Sequence, residues 1–332
     1  MFSENENKEF LNKKIIVTGA SSGIGLSVAL YFLNCGAQVI LAARDKQSME
    51  RLCIDFKFPN AIIMKLDLTS EDTYFIDFKA SVIERFKAKI DILINCAGIK
   101  LYGDVENTWP QDFDFILDVN LRSVYYLIYS LAPYINRNGS IINMSCLYGS
   151  LPIYGMLSYS ISKAGLEGLT RYAAAELSSI GIRVNAISAC PVKTNTFGYL
   201  LLKESDIEYF NKNMEKNIPL GRIGMPDDIT KVIVFLASER SKKITGQIIK
   251  VDGGRALTSS GYVHYKGIKN MNCRFEPDAE KVISWVQNLF DFKYKDAPEN
   301  EEELKKYIEE KIGNSNFSKE KDDEIYCSFK NE

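Results

Sequence analysis

The chain has 332 residues, of which 46% are hydrophobic and 25% charged, and a formal net charge of −2. That balance suits a folded protein with a sizeable core, and it argues against overall disorder and against a general basic field for nucleic acid. One histidine, His264, and seven cysteines without a Cys-x-x-Cys pair leave almost nothing from which to build a zinc site or a Ser-His-Asp triad, so no metal site is expected.

The first ten residues are polar and acid-rich, unlike a signal peptide, and no stretch is long and apolar enough to span a bilayer. With an odd number of cysteines, a reducing, cytoplasmic setting fits best. From Lys13 to Gly25 an apolar run breaks into glycines and resumes with helical periodicity, which reads as strand, tight turn and helix start. Phosphate is well placed where a helix begins, because free N–H groups and the positive end of the dipole converge there. In this reading Gly19 allows the turn, Gly23 the approach of a pyrophosphate, and Gly25 the packing of helix on strand. Ser21 and Ser22 add hydroxyls for phosphate or for capping, and Ile24 is counted with them among the cofactor-binding residues. An ordinary glycine-rich turn is the alternative for this loop taken alone.

A helix from Gly23 to Asn34 and a strand over 37–42 follow, ending at Ala43-Arg44-Asp45. At that strand end an acid would bond a ribose 2′-hydroxyl, whereas Arg44 suits a 2′-phosphate, so NADP(H) is favoured over NAD(H). A surface pair between Arg44 and Asp45 is the bland reading. A third strand, 61–66, leads to Asp67-Leu68-Thr69. An amphipathic helix to about Ala88 and a strand, Ile90 to Asn95, come next, and the strand runs into Cys96-Ala97-Gly98. This alternation predicts right-handed βαβ units and a parallel sheet, with ligands at the carboxyl ends of the strands, where Thr18, Arg44, Asp67 and Asn95 lie.

Pro110 to about Asn136 reads as one long helix with Asn120 in its middle, and Gly139 to Cys146 as the fifth strand. Tyr159 and Lys163 then fall four apart on a helix, on one face. A nearby ammonium stabilises phenolate, so the pair can move a proton near neutral pH, although Tyr-x-x-x-Lys alone is more often just helix surface.

Together these residues resemble the short-chain dehydrogenase/reductase family in its single-domain form. Further matches are Val184-Asn185-Ala186-Ile187, Ile218-Pro219-Leu220-Gly221-Arg222, Ile244-Thr245-Gly246-Gln247 and Val251-Asp252-Gly253-Gly254, so the resemblance covers about residues 12–257. It implies an α/β, Rossmann-like doubly wound parallel sheet of about seven strands. It also implies an NAD(P)(H)-dependent oxidoreductase acting on a small-molecule carbonyl/alcohol pair, as a homodimer or homotetramer. Tyr159 would exchange a proton with the substrate oxygen, Lys163 would lower the tyrosine pKa and bond the nicotinamide ribose, and Asn120 would hold a water in a proton relay. Asp67 would face the adenine and Thr194 the carboxamide, with Leu68, Asn95, Ala97, Gly98 and Val192 completing the cofactor contacts.

The chain departs from the family in two places. Thirteen residues before Tyr159, where the family has a serine that polarises the substrate oxygen, stands Cys146; Gly149 supports that register, and Ser145 should point to the opposite face. A thiol is the weaker donor, so three readings are open: a working enzyme with weaker polarisation, a substrate that supplies the missing contact, or an NADP(H)-binding regulatory or scaffold protein without turnover. Covalent catalysis by Cys146 has no histidine nearby to activate it. The second departure is Ala189-Cys190 before Pro191, where the family has Pro-Gly against the nicotinamide.

Pocket walls are expected from Lys100-Leu101-Tyr102, from 147–157 and from a lid over 195–217, offering Tyr102, Tyr148, Tyr154, Phe197 and Tyr199, with Lys100 and Lys193 as the nearest cations. Residues 1–257 form the expected catalytic domain. Residues 258–332 form an extension with amphipathic helical patterns over 278–290 and 301–312, which packs on its own or a neighbouring subunit or docks another protein.

Overall fold

The computed structural model describes residues 8–44, 49–50, 58–69, 72–87, 89–194 and 214–258. The expected lid, with Phe197 and Tyr199, lies almost wholly outside these residues, as do Asp45, His264 and the extension with its two helical patterns.

Seven strands form one parallel sheet in the order β3-β2-β1-β4-β5-β6-β7. They are β1 (Lys14–Thr18), β2 (Gln38–Ala43), β3 (Ala61–Lys65), β4 (Ile90–Asn95), β5 (Ile135–Cys146), β6 (Arg183–Ala189) and β7 (Ile248–Val251). The helices are α1 (Gly23–Asn34), α2 (Asp72–Phe86), α3 (Pro110–Leu117), α4 (Ser123–Leu131), α5 (Leu157–Leu177), α6 (Pro226–Ala237) and the single turn α7 (Arg255–Thr258). This is the doubly wound, Rossmann-like arrangement expected from the alternation of apolar strands and helices.

Both faces of the sheet are covered, so its strands are apolar throughout rather than alternating. Ile15 and Val17 of β1 pack with Val28 and Phe32 of α1 and Ile229 and Ile233 of α6 in one core cluster. Ile16 points the other way, into a second cluster with Val82 and Phe86 of α2, Leu127 of α4 and Leu166 of α5. Each such side chain, fully withdrawn from water, contributes about 1.5–3 kcal/mol. Truncating Phe32, which is fully buried, would cost about 3–5 kcal/mol.

Two elements differ from their expected spans. The long helix over 110–136 is broken: a π turn, Asp118–Arg122, separates α3 from α4, and a 3-10 turn, Ala132–Tyr134, ends the run. Pro133, which brings no N–H, sits in that last turn. The fifth strand starts at Ile135 rather than Gly139, with a register shift against β4 between Ile90 and Ile92 and with Asn138 at φ 70°.

No helix among the described residues is long and apolar enough to cross a membrane.

Candidate active site

The carboxyl ends of β1, β4, β5 and β6 meet the start of α1 and the first turns of α5. At the end of β1 the chain turns through Gly19, with φ +66°, and Gly23, with φ +55°. A methyl on Gly19 would stand 2.8 Å from Ala97 Cα, and one on Gly25 would collide with the Gly19 carbonyl oxygen. Gly25 thus packs helix on strand, as its spacing suggested. A methyl on Gly23 would stand 3.3 Å from Thr194 Cγ2, which brings the end of the β6 loop over the first turn of α1. Ile24 packs against the first core cluster. Ser22 is the N-cap residue of α1, but its side chain makes no capping bond, so its hydroxyl and the exposed start of the helix face outward together. This cradle, which side chains at the three glycines would fill, fits the pyrophosphate of a dinucleotide.

The remaining cofactor candidates fall into two groups. Arg44 is exposed just past the end of β2. Asp67 closes a turn by accepting the Thr69 N–H at 3.0 Å and its hydroxyl at 2.7 Å, so one carboxylate oxygen is engaged locally. The Ala97 N–H donates to Thr18 Oγ1 at 3.2 Å, fixing the loop after β4. Gly98 leaves room for Asn120 and Lys163: a methyl there would stand 3.2 Å from Asn120 Oδ1 and 3.4 Å from Lys163 Nζ. Val192 bridges to Gly224. Asn95 and Leu68, by contrast, face the core. Leu68 belongs to the second cluster, and Asn95 Nδ2 donates to Asn143 Oδ1 at 2.8 Å, whose own amide reaches Thr170 Oγ1 at 3.0 Å.

Around Tyr159 the geometry is close. Tyr159 packs on the buried cluster that holds Cys146, and Lys163 Nζ and Lys100 Nζ lie 5.8 and 5.7 Å from the ring centroid. Lys163 donates to the Met144 carbonyl at 2.8 Å, and burial lowers its pKa to about 8. Tyr159 itself is pushed well above 10, first by desolvation and then by the neighbouring Cys146. The expected lowering by Lys163 is therefore not what the protein groups alone produce; they keep the phenol protonated. Gly149 admits the loop after β5 against α5, since a methyl there would meet the backbone of Lys163 at 3.0 Å and push Tyr159 and Lys163 out of line.

Asn120 sits in the π turn, fully buried. Its Oδ1 accepts the Ile99 N–H at 2.8 Å, and its Nδ2 donates to the Ile99 carbonyl at 2.9 Å and to Ser162 Oγ at 3.0 Å. The amide thus clamps the loop that carries Lys100.

Cys146 and Cys190 are buried and in one cluster, with Tyr148 and Tyr159 packed on it. Cys190 donates a hydrogen bond to Cys146; this bond, the Tyr148 N–H and the Lys100 charge outweigh burial and bring the Cys146 thiol down to about 6. Cys190 is held up in its protonated form. Of the expected aromatics, Tyr148 lies at this floor, whereas Tyr154 turns away to donate to Asp104 at 2.9 Å. Arg255, absent from the sequence reading, acts on Tyr148 and Cys190 through its charge. It is brought back by the Gly253-Gly254 turn, both at positive φ, and by Asp252, which accepts the Gly254 and Ala256 N–H groups. The glycine pair was the only signal for it.

The family profile described as Enoyl-(Acyl carrier protein) reductase matches residues 19–256. A 3-oxoacyl-[acyl-carrier-protein] reductase of Thermotoga maritima is 34% identical over 249 residues, covering 74% of this chain and 98% of the relative. One from Staphylococcus aureus is 33% identical over 259 residues, covering 74% and 98%. Among solved structures, ligand-free aldohexose dehydrogenase of Thermoplasma acidophilum superposes with a TM-score of 0.69 at 28% identity, over 76% of this chain and 97% of that one. A glucose/ribitol dehydrogenase of the short-chain type from Brucella melitensis gives 0.69 at 29%, over 74% and 98%. Shared sequence over almost the whole length of these relatives goes with the same sheet and the same loops at its carboxyl edge, and so the chain belongs to the short-chain dehydrogenase/reductase family of NAD(P)-dependent oxidoreductases.

Proposed function

We propose that the protein is a cytoplasmic NADP(H)-dependent reductase that converts a small-molecule carbonyl to an alcohol. The direction is supported by the relatives, which are named as reductases, and the observation that carries the chemistry is the placement of Tyr159 beside Lys163 and Cys146, where its phenol can give a proton to a substrate oxygen. NADP(H), when bound, supplies the hydride. Gly19, Ser21, Ser22, Gly23, Ile24 and Gly25 cradle its phosphates, Arg44 takes the 2′-phosphate, and Asp67, Ala97, Gly98, Val192 and Thr194 line the rest. For Asn95 and Leu68, the part left to play is structural, beneath that surface.

Lys163 draws its charge close to the ring and, through its bond to Met144, holds the end of β5. Cys146 stands at the oxygen-polarising position, where its thiol form gives a weaker hydrogen bond than a serine would. Asn120 positions the Lys100 loop. The reductases of Thermotoga maritima and Staphylococcus aureus act, by their names, on 3-oxoacyl groups, so a 3-oxoacyl thioester is the first substrate to offer.

Residues 1–257 are the catalytic unit and 258–332 a separate extension, which packs on a subunit or docks a partner. Support for the boundary comes from the profile match, which ends at residue 256. A homodimer or homotetramer is supported by Tyr125, Tyr129 and Tyr172, which are 49%, 69% and 75% exposed on α4 and α5.

The test is titration of NADPH and NADH followed by turnover of a carbonyl panel, with Tyr159→Phe alongside. NADPH binding with turnover lost only in Tyr159→Phe supports the reading. Tight NADPH binding with no turnover in any panel member would return the protein to a regulatory role.

A further inference from the structure

The two places where the chain departs from its family meet in space. Cys146 ends β5 directly opposite Ala189, the last residue of β6, and Cys190 is the next residue along. Cys190 lies just past the end of β6, where strand alternation no longer sets its side chain, and it shares one buried cluster with Cys146. Both thiols are free, and both are buried in one cluster against which Tyr159 packs. We propose that Cys146 and Cys190 form an active-site dithiol that a peroxide closes to a disulfide, switching the reductase off.

The chemistry divides the roles. Cys146 is the attacking sulfur, because its hydrogen-bond donors and Lys100 favour its thiolate, whereas Cys190 keeps its proton. The Cys146 thiolate attacks one oxygen of hydrogen peroxide, the O–O bond breaks, and the departing hydroxide takes up the proton that Cys146 had released, giving a sulfenic acid and water. The Cys190 sulfur then attacks the Cys146 sulfur, the S–O bond breaks, and the leaving hydroxide carries off the Cys190 proton as a second water. Two thiols are oxidised by two electrons and one peroxide is reduced to two waters. The new bond removes the thiol that faces the substrate oxygen beside Tyr159. Peroxide reaches Cys146 by the route the carbonyl takes, since the sulfur lies beside Tyr159. Bond formation needs only the thiols; its effect on turnover rests on the reductase reading above.

The full-length protein is treated with hydrogen peroxide, its remaining free thiols are alkylated, and it is digested without reductant for mass spectrometry while NADPH-dependent turnover is followed. The expected result is a Cys146–Cys190 linked peptide that forms in step with a loss of turnover, assayed below the Cys146 midpoint of about 6 where the thiol still donates, on the order of 10²-fold, the size associated with losing a donor at the reacting oxygen, both reversed by dithiothreitol. In Cys190→Ser the linked peptide is absent, and recovery with dithiothreitol falls as Cys146 proceeds to the sulfinic acid. Cys35 and Cys96 serve as unreactive references, since burial raises both thiols, Cys96 to about 12. Recovery of Cys146 and Cys190 as separately alkylated thiols after peroxide overturns the dithiol. A linked peptide with turnover unchanged overturns the switch. Since the digest reads the bond without turnover, a protein inactive from the outset would fail the reductase reading and still decide the dithiol.

Discussion

Ser145 Oγ donates to Glu167 Oε1 at 2.9 Å, and both side chains are buried. Cys146, the next residue along β5, is the one that meets Tyr159. Successive strand residues point to opposite faces: Ser145 turns to the face covered by α5, where Glu167 receives it, and Cys146, at the end of β5, joins the cluster on which Tyr159 packs. A one-residue slip that exchanged them would leave the Glu167 carboxylate without its hydroxyl donor, with only the longer 3.8 Å contact to Arg171 remaining.

Ser145→Ala should therefore affect stability and not chemistry. Losing the donor to a buried carboxylate costs about 1–3 kcal/mol, read as a lower urea midpoint, while the pH profile of turnover keeps its shape. A profile altered in this variant with an unchanged midpoint would place Ser145 in the reaction.

Cys146→Ser should change the pH dependence. The Cys146 thiol titrates at about 6, so it can donate to a substrate oxygen below that value. As pH rises through it, the donor is lost and a negative charge is set beside an oxygen that is itself becoming negative. Serine stays neutral. Native turnover should thus fall from pH 5 to 8 (roughly one unit below to two above that midpoint) while the variant is flatter and, at the upper end, faster by up to on the order of 10²-fold. Parallel profiles for the two proteins would remove Cys146 from the proton chemistry.

Local patterns made much of this legible. The strand, turn and helix from Lys14 to Asn34 and the strand Ile90 to Asn95 stood out because short apolar runs bounded by glycines or polar residues permit few other structures. What escaped depends on neighbours distant in the chain. The π turn at Asn120 arises where its amide grips the Ile99 backbone, and the inward turn of Asn95 arises from Asn143 on the next strand. Cys146 and Cys190 were each noticed as a departure, but their shared cluster arises where β5 and β6 end side by side, which no periodicity reports.

Arg44 follows Ala43 at the end of β2 and is exposed. A guanidinium there makes charge-assisted bonds to a 2′-phosphate that a 2′-hydroxyl cannot reciprocate. In Arg44→Ala, kcat/KM for NADPH should drop by about tenfold or more, as for a lost hydrogen bond to a charged group, with the NADH value little changed. An equal drop for both cofactors would mean that Arg44 supports the loop rather than reading the phosphate.

Asp228 near the start of α6 joins two jobs. It receives Arg222 through both carboxylate oxygens, at 2.7 and 2.8 Å, and accepts the Met225 N–H at 2.7 Å. The Arg222 bond, then the backbone bond, lower its pKa to about 2, below the roughly 3.9 of a free aspartate. A lowered carboxylate pKa stabilises the fold fully above the unfolded value, and the contribution disappears as pH falls from there through about 2. Arg222 is more than half exposed, so solvent screens much of the pair and the capping bond carries most of the effect. Asp228→Ala should cost about 1 kcal/mol at neutral pH, the usual size for a lost helix cap, and less in acid near the lowered pKa. Urea unfolding of both proteins across that range reads the difference directly; a gap that stayed constant down to the acid limit would mean that the carboxylate charge is not what holds α6 in place.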